Sequence, residues 1–267
     1  AYHLVSIPEY FLGSIQFSSG CPYTCEFCDI PALYGRNPRL KTPAQVLGEL
    51  DRLRAGGAQS VYFVDDNFIA NQKAALALLP HLVDWQRRHR YPLRLACEAT
   101  LNLATNDAIL ALMREAGFVT VFCGIETPEP EALRAMSKQQ NLRLPIVEAV
   151  ERINAYGMEV VSGILIGLDT DSPATADRIL DFVHESQIPI LTINILYALP
   201  KTPLSLPITA EKAKKMELGE FYSIPADIAF ATSIGAGYSV AGISAGASGS
   251  YVVSGRFRVN IFKADAD

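Results

Sequence analysis

The sequence predicts an α/β fold built on a parallel sheet, and three observations support this class. Short apolar runs rich in β-branched residues alternate with longer segments of helical periodicity, which is typical of strand–helix–strand units. Six such strand-like runs occur over residues 13–204, too few for a closed eight-stranded barrel. With 49% hydrophobic and 19% charged residues in 267, the chain is able to bury a substantial core.

Each predicted strand stops where its apolar run meets polar residues or glycine. The predicted strands cover about residues 13–18, 60–64, 93–97, 119–123, 160–166 and 190–197. Several of the predicted helices begin at a proline or end at a glycine, the asymmetry that helices prefer. They cover about residues 43–55, 72–89, 107–116, 130–136, 145–156 and 173–186. A helix between two consecutive strands of one sheet forms a right-handed crossover, which makes the two strands parallel.

The chain divides by composition into three regions. Residues 1–12 form a lead-in segment, residues 13–204 the core domain, and residues 205–267 a C-terminal extension of irregular character. Within the extension we predict a helix over 209–218, a Gly/Ala/Ser-rich linker over 232–250 and a hairpin strand over 251–262. Because the chain begins at Ala1 rather than at methionine, we expect a processed chain or a fragment of a longer one.

Charge and cysteine content exclude several classes of protein. The net charge of −5 gives no basic field for nucleic acid or for an anionic membrane, and no apolar run is long enough to span a bilayer. Five cysteines, an odd number in a chain of this size, do not suit a secreted disulfide scaffold. We therefore expect a reducing, cytoplasmic compartment.

Three cysteines, Cys21, Cys25 and Cys28, follow the first predicted strand at the spacing C-x3-C-x2-C. Thiolates favour iron–sulfur clusters, zinc or cuprous copper. A complete 4Fe–4S site usually takes four cysteines. The other two, Cys97 and Cys123, lie far along the chain in apolar runs, where we interpret them as small buried residues. A cluster on this loop would keep one iron open to a ligand that is not protein.

Two other functions use the same three cysteines. One is a zinc hydrolase or deaminase with a metal-bound water, although structural zinc normally has four protein ligands. The other is a non-catalytic iron–sulfur module that transfers electrons. The polar residues at the strand ends favour an enzyme, because parallel α/β folds bind ligands there. Turn formation alone also explains any one of those residues.

The pattern C-x3-C-x-aromatic-C, with Phe27 as its aromatic residue, resembles the signature of the radical SAM superfamily. The stretch 25–30 followed by 33–36 resembles the branch that carries a cobalamin-binding domain ahead of the radical SAM core, which includes the hopanoid methylases. The resemblance implies a partial, TIM-like barrel of six βα units, in agreement with the six predicted strands. The cobalamin-binding domain would lie before residue 1.

The resemblance also implies a reaction. The three cysteines would hold a 4Fe–4S cluster whose open iron chelates S-adenosylmethionine, and reductive cleavage would yield a 5′-deoxyadenosyl radical. The expected outcome is cobalamin-dependent methylation of an unactivated carbon. The expected partners are a small-molecule or lipid substrate and a reductant such as flavodoxin or ferredoxin.

The resemblance further assigns the S-adenosylmethionine contacts. Phe27 would lie beside the adenine, and Glu126 would bind the ribose hydroxyls. Asp65-Asp66-Asn67 stands where many relatives have a Gly-Gly-Glu that contacts the methionine amine, so this sequence departs from the pattern there. The predicted cofactor-binding residues are Phe27, Asp65, Asp66, Asn67, Glu98, Gly124, Glu126, Gly163, Ile166, Gly167 and Tyr197. A salt bridge with Arg94 or another neighbour is an alternative for Glu98. Residues 138–141 lie between two predicted helices, where they either face the mouth of the active site or form a solvated loop, and we interpret them as a solvated loop.

Overall fold

The computed structural model describes residues 2–199, 201–204, 221–234 and 249–262, the last two ranges as backbone. The chain divides into two compact units, Ala1–Leu196 and Tyr197–Asp267. The division falls just after the last strand of the main sheet, whereas the predicted boundary at residue 204 stays a prediction. The predicted helix over 209–218 and the middle of the predicted linker, 235–248, lie outside the described residues.

The first unit is built on strands that alternate with helices. Its strands are β1 (Gly13–Ile15), β2 (Ser18–Ser19), β3 (Arg39–Leu40), β4 (Ser60–Phe63), β5 (Arg94–Ala99), β6 (Phe118–Glu126), β7 (Glu159–Ile166) and β8 (Ile190–Ile195). Its α-helices are α1 (Ile30–Leu33), α2 (Pro43–Ala55), α3 (Gln72–Arg88), α4 (Asp107–Glu115), α5 (Pro130–Ala135), α6 (Ile146–Ala155) and α7 (Thr175–Ser186). Short 3-10 turns occupy Tyr2–Leu4, Ile7–Glu9, Leu101–Thr105 and Gln139–Leu142.

Six strands form one parallel sheet in the order β1-β4-β5-β6-β7-β8. Strands β1 and β8 are its edges and, within the described part of the chain, do not pair with each other. The prediction of a partial six-unit barrel is confirmed. The first predicted strand is shorter than expected, because Ser18–Ser19 pairs with β3 in a separate antiparallel ladder.

Helix starts follow the sequence signals closely. Thr42 caps α2 in a capping box, in which its hydroxyl accepts from the Gln45 N–H and the Gln45 side chain accepts from the Thr42 N–H. The side chains of Asn71 and Asn106 cap α3 and α4 in the same way, by accepting a backbone N–H three residues on. These caps fix the helices that return the chain to the start of each strand.

An aromatic cluster fills the core below the strand ends. The Phe68 ring lies 5.2 Å from Phe63, 5.3 Å from Phe118 and 5.9 Å from Phe17, centroid to centroid. All four side chains are at most 3% exposed. Because Phe68 directly follows residues 65–67, its burial fixes the position of that polar segment at the end of β4.

In the second unit, β9 (Phe221–Ile234) and β10 (Gly249–Phe262) pair as an antiparallel ladder over fourteen residues each. The strand expected over 251–262 is therefore present, and both strands extend into the interval assigned to the linker. In the described ranges, the helices all fall short of the length and apolar character that a membrane crossing requires.

Candidate iron–sulfur and S-adenosylmethionine site

The cysteine loop, residues 20–28, turns sharply out of β2. Gly20 lies at φ +101°, and a Cβ added there would stand 2.8 Å from the Gly35 carbonyl oxygen. Both constraints require glycine. Next to it, the Cys21 N–H donates to the same carbonyl at 3.2 Å, and the Arg36 guanidinium donates to the Pro22 carbonyl at 3.2 and 3.3 Å. The chain around 35–36 thus holds the first half of the loop.

The three thiols of the loop lie within reach of one another's charge. Cys25 is buried, whereas Cys21 and Cys28 are half-buried. Burial raises the pKa of Cys21 and raises the pKa of Cys28 to about 11, and the neighbouring thiols add to both shifts. Iron binding therefore has to displace protons, and loading is favoured by alkaline pH. The loop is also tied to the end of α5, because the Glu26 N–H donates to the Met136 carbonyl at 3.1 Å.

The donor set fits a cluster better than a single metal ion. Over the described ranges, no group of three His, Cys, Asp or Glu side chains lies close enough together to hold one ion. A 4Fe–4S cluster does not need that convergence, because its cysteines bind different irons. The prediction that Cys97 and Cys123 are buried is confirmed, as both are 0% exposed. A three-cysteine cluster with an open iron therefore suits this loop, and the zinc alternative is not supported.

Two carboxylates after β4 accept hydrogen bonds from the segment that leads into the cysteine loop. Asp65 accepts the Phe17 N–H at 3.0 Å, the Ser18 N–H, and the Ser18 hydroxyl at 2.6 Å. Asp66 accepts the Gly20 N–H at 2.7 Å. Burial raises the pKa of Asp65, and the three hydrogen bonds act in the opposite direction. These contacts give both residues a role in holding the loop, while their contact with S-adenosylmethionine stays a prediction.

Asn67 begins a chain of hydrogen bonds that runs back to the cysteine loop. It is 1% exposed and accepts the Ile69 N–H at 3.2 Å. Its amide donates to the Thr100 hydroxyl at 3.1 Å, and that hydroxyl donates to Asn102 at 2.6 Å. The Asn102 amide in turn donates to the Tyr23 hydroxyl at 3.0 Å. The ends of β4 and β5 are therefore linked to the loop by buried and half-buried polar groups.

Glu98 presents a half-buried carboxyl group on β5. Burial raises its pKa, the charges of Asp66 and Asp65 raise it further, and a hydrogen bond from the Tyr62 hydroxyl at 3.4 Å opposes the shift. In the part of the chain that the structure describes, Glu98 forms no ion pair with Arg94. The salt-bridge alternative is not supported, and the contact with a ligand stays a prediction.

Strand β6 runs on through residues 124–126, which the sequence analysis placed after the strand. The register shifts between Gly124 and Glu126, and Glu126 lies at φ +70°. Such irregularities re-aim side chains. A Cβ at Gly124 would collide with the Glu126 carboxylate and stand 3.2 Å from Lys138 Nζ. The Asn141 amide donates to the carbonyls of Gly124 at 2.9 Å and Ile125 at 3.3 Å, which fixes the distorted strand end.

Lys138 joins Glu126 to the cysteine loop. The two side chains form a buried ion pair, and Lys138 Nζ lies 5.4 Å from the Phe27 ring centroid. Burial lowers the pKa of Lys138, but the charges of Glu126, Cys25 and Cys28 outweigh it, so the net shift is upward. Lys138 therefore stays protonated between the predicted ribose contact and the predicted cluster ligands.

The prediction of a solvated loop over 138–141 is wrong for three of its four residues. Lys138, Gln140 and Asn141 are 6%, 4% and 2% exposed, and Gln139 alone is exposed. The Gln140 amide donates to Cys25 Sγ at 3.3 Å. A polar run carries no burial signal, so its place just after a βα unit was the only indication that it faces the site.

Two of the predicted contact residues are glycines that lie on β7 and directly after it. A Cβ at Gly163 would stand 3.3 Å from both the Phe122 ring and the Thr192 hydroxyl. Gly167 lies at φ +91°, and its N–H donates to Asp171 at 2.6 Å. The positive φ of Gly167 favours glycine, whereas a Cβ at Gly163 would press on two side chains. The contact of both residues with the adenine stays a prediction.

Two further predicted residues lie in other surroundings. Ile166 lines an apolar cavity of about 470 Å³ with Ile179 and Ile193, next to α7. Tyr197 begins the second unit and is 47% exposed. Neither is linked to the cysteine loop by a described contact, so their roles remain predictions.

Comparison with known proteins identifies relatives of this arrangement. The family model of the radical SAM superfamily matches residues 15–183. A hopanoid C-2 methylase of Rhodopseudomonas palustris is 64% identical over 205 residues, covering 76% of this chain and 39% of that protein. An uncharacterized methyltransferase of Synechocystis is 45% identical over 204 residues, covering 76% of this chain and 38% of that protein. The chain thus spans about two fifths of the length of these relatives.

Solved structures show the same fold. The radical S-adenosylmethionine methyltransferase TsrM of Kitasatospora setae, with tryptophan and a SAM analog bound, superposes with a TM-score of 0.67 at 22% identity, over 81% of this chain and 42% of that one. Its form with cobalamin and a [4Fe-4S] cluster gives 0.64 at 22% identity, over 72% and 35%. The family model matches more than half of the chain, and the chain therefore belongs to the radical SAM superfamily. The solved structures agree with this family in fold.

Proposed function

We propose that this chain is the radical SAM core of a methylase that adds a methyl group to an unactivated carbon of a hopanoid lipid. The three-cysteine loop at the strand-end edge of the sheet is the observation that carries the radical chemistry. The substrate and the reaction come from the relative named hopanoid C-2 methylase.

Different residues of the chain bind the cluster and S-adenosylmethionine. Cys21, Cys25 and Cys28 hold the cluster, which together with S-adenosylmethionine supplies the one-electron chemistry that opens an unactivated C–H bond. Glu126 accepts hydrogen bonds from the ribose hydroxyls, and its buried ion pair with Lys138 fixes the position of that carboxylate.

We assign cobalamin to the whole protein on the strength of TsrM, whose structure holds it. We also propose that flavodoxin or ferredoxin supplies the electron, and that the enzyme works in the reducing cytoplasm, where a cluster with an open iron persists. The net charge of −5 accords with a substrate that is neither nucleic acid nor another polyanion.

Anaerobic reconstitution of the full-length protein tests the radical chemistry. We expect an electron paramagnetic resonance signal of a reduced 4Fe–4S cluster that changes shape when S-adenosylmethionine is added. The variant Cys25→Ser should lose the signal. Its rate of S-adenosylmethionine cleavage should fall by at least about a thousandfold, as expected when a group essential to the chemistry is removed. The matched control Cys97→Ser alters a buried cysteine outside the loop and should retain iron. A colourless protein that holds one zinc would contradict the proposal.

Incubation of the reconstituted protein with a desmethyl hopanoid, methylcobalamin and a reductant tests the reaction. We expect 5′-deoxyadenosine and a methylated hopanoid, both detected by mass spectrometry. Formation of 5′-deoxyadenosine with no methylated product from any hopanoid would remove the assigned substrate and leave the radical chemistry standing.

A further inference from the structure

The Gln140 side chain contacts a predicted cluster ligand. Its amide nitrogen lies 3.3 Å from Cys25 Sγ, across 115 residues of sequence. Cys25 is the most buried of the three loop thiols, and Gln140 is itself 4% exposed. The contact is therefore made inside the protein, where a hydrogen bond to an anion is stronger than in water.

Folding alone gives a poor reason for an amide at this position. The Gln140 carbonyl oxygen is buried and has no hydrogen-bond partner among the described residues. A buried polar atom in that state opposes folding, and an apolar side chain of the same size would avoid that cost. The nitrogen is the end of the amide that is used, and the sulfur is what it contacts.

Neighbouring contacts hold Gln140 in place. Lys138 is fixed by its ion pair with Glu126, and Asn141 by its hydrogen bonds to the end of β6. The cysteine loop is bound to the same region, because the Glu26 N–H donates to the Met136 carbonyl. Contacts of both the Gln140 segment and the cysteine loop thus fix the distance between the Gln140 amide and Cys25. A fixed distance is what a residue needs if it is to influence a metal ligand.

A thiolate selects the donor end of the amide. A glutamine side chain is able to turn either its nitrogen or its oxygen towards a neighbour. A cluster-bound cysteine is a thiolate and only accepts, so the N–H faces the sulfur when the cluster is present. Lys138 differs in kind, because its charge acts on the whole loop and its hydrogen bond goes to Glu126.

We propose that Gln140 is a positioning residue that tunes the cluster through Cys25. On reduction one electron enters from the external reductant, no bond is broken and the amide keeps its proton. The added negative charge spreads onto the cysteine sulfurs, so a donor at Cys25 stabilises the reduced form more than the oxidised form and raises the reduction potential. This inference rests on the proposed ligation of the cluster by the cysteine loop.

The test compares Gln140→Met with Gln139→Met in the reconstituted full-length protein. Methionine keeps the length and volume of glutamine but has no N–H, and Gln139 is the exposed neighbour. Each variant is titrated anaerobically while the signal of the reduced cluster is followed. At the wild-type midpoint, we expect the ratio of reduced to oxidised cluster to fall about tenfold in Gln140→Met, the size of one charge-assisted hydrogen bond. The control should stay at the wild-type ratio.

A second variant and the iron content separate the outcomes. Gln140→Leu carries no charge and has no N–H, so it should also lower the ratio even if Gln140→Met loses its cluster. Full iron with an unchanged midpoint in both variants would overturn the inference, as would loss of iron with an unchanged midpoint in the cluster that remains. Absence of a cluster in the wild-type protein would instead overturn the proposed function.

Discussion

The strand ends after β4 and β6 both carry acidic residues that the family resemblance assigns to S-adenosylmethionine, yet they lie in different surroundings. Asp65 is saturated by the chain's own donors, which belong to Phe17 and Ser18. Glu126 is held by the cation of Lys138, and its described hydrogen bonds engage only one of its oxygens. Asp65, whose oxygens accept from backbone N–H groups and a hydroxyl, holds the fold, whereas Glu126 keeps one oxygen that no described hydrogen bond engages.

The largest effect should come from breaking the buried pair. In Lys138→Met, the Glu126 carboxylate is left buried without its cation, which should lower the free energy of unfolding by about 3–5 kcal/mol. Urea denaturation of the purified protein measures the loss. Removing the second charge as well, in Lys138→Met with Glu126→Gln, should restore much of the stability. A single variant as stable as the wild type would mean that the pair is not a buried ionic contact.

A smaller loss should follow from Asp65→Ala. The change leaves the buried N–H groups of Phe17 and Ser18 without an acceptor, which should cost roughly 2–4 kcal/mol. Because Asp65 fixes the segment that leads into the cysteine loop, the protein should also retain less iron. The control Asp84→Ala alters an exposed aspartate on α3 and should change neither quantity.

The contrast between the two carboxylates becomes sharper with Glu126→Gln. This variant leaves Lys138 buried without its partner and should be less stable than the wild type. The folded protein should keep its iron and lose affinity for S-adenosylmethionine, measured by the ligand-dependent change in the resonance spectrum. If Glu126→Gln loses iron while Asp65→Ala keeps it, the two strand ends have the opposite roles.

Local signals predicted most of the fold and part of the site. The cysteine motif was found because its three cysteines lie within eight residues, and the six strands were found because each is a short apolar run next to a helix. The extension of β6 to Glu126 was not, because it depends on pairing with β7 across an irregular register. The roles of Lys138 and Gln140 were missed for the same reason, since their partners are distant in sequence.

Glu98 lies on β5, between the two strand ends, and offers the smallest and most specific test. Burial, with added repulsion from Asp66 and Asp65, raises its pKa above the usual value of 4.5, so the folded protein holds the proton more tightly than the unfolded chain does. Ionisation of Glu98 therefore opposes folding. At neutral pH, Glu98→Gln should be more stable than the wild type, by less than the losses expected above.

The advantage of Glu98→Gln should shrink as the pH falls through the raised pKa of Glu98. It should vanish below about pH 4.5, where Glu98 is protonated in both the folded and the unfolded wild type. Urea denaturation between pH 4 and pH 8 measures it, with the exposed Glu131→Gln as control. Repeating the series in the Asp65→Asn background should reduce the advantage, because one of the repelling charges is gone. A wild type that is more stable than Glu98→Gln at neutral pH would contradict the conclusion that ionisation of Glu98 opposes folding.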